Sequence, residues 1–207
     1  MNYRENYTYW LENKKIDNET KLELEAISGN EDEIKFRFSK RLEFGTAGLR
    51  GTMMEGLNAM IVYTVAQATQ GFADLINKET DGKRPVVVAY DSRNNSELFA
   101  KTTASVFAAN GLITYIFDEL RPTPVLSFAV RELKCIAGVN ITASHNPKEY
   151  NGYKAYWEDG AQLPPDHADT VSKFIDRIDV FNGVKTMDFD DAVNNGKIII
   201  LGKDFDE

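Results

Sequence analysis

An α/β layer sandwich built on a largely parallel sheet is what this sequence predicts, and three observations predict it. Continuous apolar runs at residues 86–90, 112–117 and 136–141 have the length and β-branched content of strands buried on both faces. Between them lie segments whose apolar residues recur at helical spacing. Asn110-Gly111 then punctuates one such segment as a helix stop would.

Taken in order, residues 1–43 are rich in charge, with scattered anchors at Tyr9, Trp10, Leu11, Ile16, Leu22, Ile34, Phe36 and Phe38. They predict two or three short amphipathic helices packed on the main domain, although KLELEAI (residues 21–27) alternates like a strand. Ile61, Val65, Ala68, Phe72 and Leu75/Ile76 mark the next helix. After the 86–90 strand, Leu98, Thr102, Ser105/Val106 and Ala109 share a helical face. Val125, Leu126, Ala129, Val130 and Leu133 follow the 112–117 strand as another helix. Residues 136–141 and 153–157 read as strands, and 166–178 as a helix. Residues 197–201 look like one more strand close to the C-terminus, an unfinished element that predicts a piece of a larger protein. The expected division is a helical extension over 1–43 and an α/β domain over 44–207.

Composition narrows the function. The 207 residues are 43% hydrophobic and 27% charged, as in ordinary globular proteins and unlike disordered chains. A net charge of −8 opposes a nucleic-acid or anionic-membrane surface, so an anionic substrate needs a local basic pocket. The single cysteine, Cys135, rules out an internal disulfide framework and a cysteine-based zinc cluster. The two histidines, His145 and His167, form no HExxH motif. The N-terminus has no apolar core of signal-peptide length and no stretch is long enough to span a bilayer, so the cytoplasm is the expected compartment.

Three stretches have the residue types of anion chemistry. In Thr142-Ala143-Ser144-His145-Asn146-Pro147, an apolar strand gives way to small polar residues and a proline. Ser144 is therefore expected in a loop at a strand's C-terminal end, where open α/β sheets bind ligands. A simple turn, an anion-binding loop and a serine that itself carries phosphate all fit. A hydrolase serine fits less well, because no GxSxG elbow is present. Adjacent side chains in an extended segment also point apart, which places His145 poorly as a base for Ser144. A phosphorylated Ser144 would carry about −1.5 to −2 charges and need cations nearby. Lys154 could supply one and move a proton, or be a solvated surface lysine.

FGTAGLRG (residues 44–51) spaces three glycines three apart and ends on Arg50-Gly51, which is neither GxGxxG nor a P-loop. It reads equally as a backbone cradle with Arg50 on a phosphate and as a tight bend needing positive φ. In Tyr90-Asp91-Ser92-Arg93, Asp91 or Ser92 is expected to help cap the next helix, and Asn94-x-x-Glu97 resembles a capping box. Arg93 is then free to point into the crevice of Ser144, or to form a surface ion pair worth about 0–1 kcal/mol. Asp204-x-Asp206 reads as a solvated tail with no ligand role.

Together FGTAGLRG, YDSR and TASHNP followed by NGYK resemble the first domain of the α-D-phosphohexomutases, in the phosphoglucomutase/phosphomannomutase branch. The resemblance implies a three-layer α/β/α sandwich with a mixed, largely parallel sheet, preceded here by the helical extension. In that family the TxSHNP serine is the phosphorylated catalytic residue, and Ser144 matches it. Lys154 matches a lysine proposed as an acid/base group, and Arg50 the active-site arginine closing the glycine motif. His145 and Asn146 match loop residues that shape the site; Asp91 and Arg93 match its surrounding support.

The implied reaction passes a phosphoryl group between Ser144 and hexose phosphates, interconverting glucose 1-phosphate and glucose 6-phosphate. Mg²⁺ and glucose 1,6-bisphosphate, as activating phosphoryl donor, are the implied cofactors. One Mg²⁺ ligand would be the phosphate on Ser144, the others an Asp-Gly-Asp-x-Asp segment of a second domain, which this sequence lacks. The implied partners are the hexose phosphate and the remaining domains of the same polypeptide, with neither nucleic acid nor membrane, and the isolated domain is expected to be inactive. Relatives in this branch often have an arginine where this chain reads Leu57-Asn58-Ala59. The rival expectations are a non-catalytic sugar-phosphate or anion-binding module and, behind it, a serine esterase.

Overall fold

The computed structural model describes residues 1–46, 48–80 and 84–205. Three helices come first, α1 (Tyr3–Leu11), α2 (Asn18–Ala26) and α3 (Glu31–Phe38), followed by β1 (Gly48–Thr52) and α4 (Val62–Glu79). Then come β2 (Val86–Tyr90), α5 (Ser96–Ala109), β3 (Thr114–Phe117), α6 (Thr123–Glu132), β4 (Ala137–Ile141) and β5 (Tyr150–Trp157). The chain continues through α7 (Pro165–Ile175), α8 (Phe189–Asn194) and β6 (Ile198–Leu201).

The strands form one mixed sheet in the order β1-β5-β4-β2-β3-β6. The apolar runs build its parallel part, β4-β2-β3-β6, while β5 and β1 join antiparallel at the other edge. One face is covered by α4, α5, α7 and α8, whose Phe72, Phe107, Val171 and Ala192 share a cluster with Val88, Val139 and Tyr153. The opposite face is covered by α6, where Leu126, Ala129 and Val130 meet Val87, Ala89 and Tyr156. Helices on both faces explain why every residue of β2 and β4 is buried. The three layers and mixed sheet are those expected.

Several local expectations need correction. The core-facing stripe of α5 is Phe99, Ala100, Thr103, Ala104 and Phe107, while Leu98 is 51% exposed. Two apolar stripes compete on that helix, and contact with the sheet selects one. The strand expected from residue 153 begins at Tyr150, whereas α7 agrees with the helix expected over 166–178 and starts on Pro165, whose fixed φ suits a first turn. Neither β1 nor α8 was anticipated. GLRGT has two glycines in five residues and pairs as a strand because β5 offers it an edge.

The extension is helical, and the alternating KLELEAI lies largely in α2. Asn2 and Glu5 form a capping box on α1, and Asp17 and Asn30 cap α2 and α3. Tyr7, Trp10, Leu24, Ile34 and Phe38 pack against Leu57, Ile61, Val180 and Phe181. Leu22 and Phe36, expected as anchors, are 66% and 59% exposed. Each lies two positions from a buried neighbour, about 200° around a helix. The Leu57-Asn58-Ala59 segment faces the extension too, since the main-chain N–H groups of Leu57 and Asn58 both donate to Arg37 O.

One acid pair makes this junction pH-sensitive. Glu55, after β1, lies against Glu23 of α2 with a buried Oε2 that has no donor, and burial with the neighbouring Glu23 carboxylate pushes its carboxyl up to about 8. Glu23 is held below the ordinary range by its hydrogen bond to Glu55 and by Arg37, which donates to it at 2.5 Å. Between the ordinary carboxylate range and about 8, the folded protein keeps a proton on Glu55 that the unfolded chain has released. Stability should therefore fall as pH rises through that window, then level off. Glu55→Gln mimics the protonated acid: urea titrations at pH 8.5 should show it more stable by about 1–2 kcal/mol, discounted for solvent screening, and free of that slope. An unchanged slope in the variant would exclude the pair as its source.

Candidate active site

The serine loop grows from the end of β4. Thr142 N–H donates to Gly152 O of β5 at 2.9 Å, and Thr142 Oγ1 accepts the N–H of Ser144 at 3.0 Å. Asn146 N–H closes the turn on Ala143 O at 3.1 Å. Ser144 takes φ +58°, a left-handed conformation costing a non-glycine residue about 1–2 kcal/mol, and its side chain is exposed.

That conformation overturns one expectation. Ser144 Oγ lies 3.3 Å from His145 Nδ1, because the backbone is not extended and the two side chains do not diverge. No carboxylate hydrogen-bonds His145 among the described residues. His167 is occupied elsewhere, 3.1 Å from Asp166 Oδ1 and packed at a tilt against Trp157, ring centroids 4.7 Å apart. A serine–histidine contact exists, but without the acid that would orient it.

Arg93 holds the loop in place. Its Nη1 donates to Pro147 O and Tyr150 O at 3.0 and 3.2 Å, and its Nη2 to Ser144 O and Asn146 O, both at 2.7 Å. The guanidinium reaches the crevice as expected, yet it is spent on main-chain carbonyls and is not free for a ligand. Asp91 steadies it, with Oδ2 3.6 Å from Arg93 Nε and Oδ1 accepting from Arg93 N–H and the Ser96 hydroxyl. Asn151 Nδ2 in turn donates to Ser96 Oγ and to Asn94 O, each at 3.0 Å, which ties β5 to the same network. The capping box expected from Asn94 and Glu97 does not form. The N-cap is Asn95, at φ +60° with no side-chain cap bond, and Asn94 O is held by Asn151.

The remaining cations lie at the sheet edge. Arg50 is opposite Gly152 and Gly48 is opposite Lys154, so Arg50 and Lys154 are diagonal neighbours on one face, about 7–8 Å apart at Cα. Arg50 is exposed and Lys154 half-buried, and neither has a hydrogen-bond or ion-pair partner among the described residues. Glu43 lines the same concavity without pairing with either cation, so two positive charges face one negative charge there and the balance favours an anion. Glycine makes the arrangement possible. At Gly48, with φ +147°, a Cβ would lie 1.7 Å from Tyr153 O; at Gly152 one would lie 2.6 Å from Thr142 O. The buried Gly152 thus lets the backbone of Thr142 and Leu49 close in on both sides of it, between Arg50 and the serine loop.

The glycine motif is thus both a bend and a platform for Arg50: Gly45 N–H donates to Gly48 O at 2.8 Å, and the strand follows. Ala47 of that motif lies outside the described residues, as does Asp206 of the acidic tail.

The expected site residues fall into two concavities that share no lining residue. One, of about 370 Å³, is lined by Asp91, Arg93, Ser144, Asn146 and Lys148. The other, of about 420 Å³, is lined by Glu43, Thr46, Arg50, Lys154 and Gln162. Lys148, four residues after Ser144 in the same stretch, is a free cation of the serine's concavity that the sequence reading passed over. His145 is exposed beside the serine, and Asn146 Oδ1 is buried there without a partner. A divalent cation finds little here: no cluster of three His, Cys, Asp or Glu side chains exists among the described residues, and Asp91 is already engaged.

Fold and site define a class of protein, an α/β/α domain presenting a loop serine at the end of a parallel strand, with the cation Lys148 in its concavity and Arg50 and Lys154 on the antiparallel strands. Residues 41–181 match the family model described as phosphoglucomutase/phosphomannomutase, alpha/beta/alpha domain I, and the chain belongs to that family. It is 39% identical over 198 residues to a phosphoglucomutase of Staphylococcus saprophyticus, covering 96% of this chain and 35% of that protein. It is 40% identical over 168 residues to the Homo sapiens phosphopentomutase, covering 75% of this chain and 28% of that one. The Mus musculus glucose 1,6-bisphosphate synthase is 42% identical over 177 residues, with 81% and 28% covered. A crystal structure from Thermus thermophilus, described as a phosphomannomutase, superposes with a TM-score of 0.66 at 25% identity, covering 79% of this chain and 34% of its own. The chain thus spans about a third or less of the length of these relatives.

Proposed function

We propose that this chain carries the phosphoryl-exchanging serine of a sugar-phosphate mutase, an isomerase acting on hexose phosphates such as glucose 1-phosphate and glucose 6-phosphate. The observation that carries the reading is Ser144: exposed, held at φ +58° by Thr142 and Arg93, with Lys148 in its own concavity and Arg50 and Lys154 in a second one on the sheet. With Ser144 phosphorylated, a sugar hydroxyl oxygen attacks phosphorus and the P–Oγ bond breaks. Lys154 manages the proton lost by the hydroxyl, and Ser144 Oγ takes one up. The sugar bisphosphate then returns its other phosphate to Ser144. Arg50 and Lys148 balance charge on the phosphates, while His145 and Asn146 shape the serine's surroundings. Glucose 1,6-bisphosphate would prime the serine.

Mg²⁺ would supply further charge neutralisation, but these residues offer it no more than a phosphate oxygen on Ser144, so no step is routed through it. Additional domains of the same polypeptide would supply other ligands and sugar contacts. On this reading residues 44–207 are the mutase domain and 1–43 its accessory layer, and the isolated chain turns over sugar phosphate negligibly. A cytoplasmic setting suits this chemistry, and no helix among the described residues is long and apolar enough to cross a membrane.

Intact-mass analysis of the full polypeptide should find a single phosphate on Ser144 that glucose 6-phosphate removes. Phosphate that the sugar leaves in place, or none at all, would instead favour a non-catalytic anion-binding module. Covalent labelling of Ser144 by a fluorophosphonate would favour an esterase.

A further inference from the structure

Asn140 is the one polar residue of β4, and it is sealed under α6 at 1% exposure. Its Nδ2 donates to Thr123 Oγ1 at 2.7 Å, but its Oδ1, also buried, has no partner. An orphaned buried acceptor costs about 1–3 kcal/mol, so the position calls for a donor. Sheet register identifies the candidate. On one side Asn140 is beside Ala89, a bare methyl; on the other it is directly opposite Lys154. Opposed residues have Cβ atoms about 5 Å apart, and the four-carbon lysine stem spans the rest. The Lys154 ammonium, meanwhile, has no hydrogen-bond or ion-pair partner among the described residues.

We infer that Asn140 is the positioning residue for Lys154, its Oδ1 receiving the ammonium when the lysine turns inward from the concavity it shares with Arg50. The proposal rests on the proton-transfer role read for Lys154 above. The Asn140–Lys154 pair lies two residues below the Thr142–Gly152 pair, about 7 Å along the strand from where the serine loop begins. An inward lysine therefore lies against β4, the strand that leads into the serine loop, two residues from the buried Gly152. An outward one joins Arg50 on an incoming phosphate. A neutral amide suits such a two-position lysine, since it orients the ammonium without the permanent hold of a carboxylate.

The test uses the full-length protein with Asn140→Ala and Asn140→Asp, each also combined with Lys154→Ala. Asn140→Ala should lower kcat about tenfold with KM within about twofold, and should add nothing once Lys154 is gone. Asn140→Asp should move the limb of the pH–rate profile that reports loss of the lysine proton upward by about one pH unit. Losses that add to that of Lys154→Ala, or an unmoved profile, would make Asn140 a core residue only and overturn the proposal.

A second readout needs no activity. An amine-acylating reagent applied to the folded 207-residue chain should modify Lys154 about threefold faster in Asn140→Ala than in the original, because the inward position is lost. Lys148, which lies outside the strands in the serine's concavity, is the internal control. Equal Lys154 rates would overturn the proposal even if the mutase reading stands. Accelerated Lys154 with no phosphate on Ser144 would uphold the contact and reject the mutase reading instead.

Discussion

Replacing Ser144 by alanine is expected to lower phosphoryl exchange by the full-length protein on the order of 10⁴-fold or more in kcat, while leaving the fold intact. The two halves of that expectation have different origins. The hydroxyl is exposed and touches only His145 Nδ1, so its removal empties no core and strands no buried donor. The bonds that shape the turn, Thr142 Oγ1 to the Ser144 N–H and Arg93 to the Ser144 carbonyl, belong to the main chain at position 144 and survive the change. Stability by urea titration should thus stay within about 0.5 kcal/mol of the original. Turnover of glucose 1-phosphate near the original rate would show that phosphate does not pass through this serine.

Arg93→Ala should cost about 10²-fold in kcat without altering the chemistry of the serine. Four carbonyls of the loop, from Ser144 to Tyr150, converge on this one guanidinium. Without it the left-handed turn at Ser144 keeps only the Thr142 and Asn146 bonds, and the loop relaxes away from the geometry an in-line transfer needs. Arg93→Lys should rescue little, because an ammonium has three donors at one point and cannot span two pairs of acceptors. Limited proteolysis within residues 144–149, compared across the three proteins, separates a loosened loop from a lost charge. Faster cleavage in both variants is the expected result, and a loop equally resistant in Arg93→Ala would refute the clamp.

Both predictions concern a segment whose meaning was only half visible beforehand. TASHNP told that a polar loop follows a buried strand, and YDSR that a charged turn precedes a helix. Nothing in either stretch told that the second holds the first. Arg93 and Ser144 are 51 positions apart, and they meet because β2 and β4 are parallel neighbours whose C-terminal ends open side by side. Likewise the hydrogen-bond chain from Asn151 through Ser96 to Asp91 joins three elements and has no local signal.

What the sequence determined by itself was whatever depends on periodicity and local chemistry: alternating strands and helices, a helical N-terminus, and the loop position of Ser144. These follow from burial and backbone preference acting over a few residues, and FGTAGLRG, YDSR and TASHNP-to-NGYK carried the family. The tertiary structure alone decided which stripe of α5 meets the sheet, that GLRGT becomes an edge strand, that Arg93 is a clamp, and that Arg50 and Lys154 line a concavity other than the serine's own. The reason is physical. A side chain's partners are set by strand order and register, and those emerge only when distant segments compete for the same buried surface.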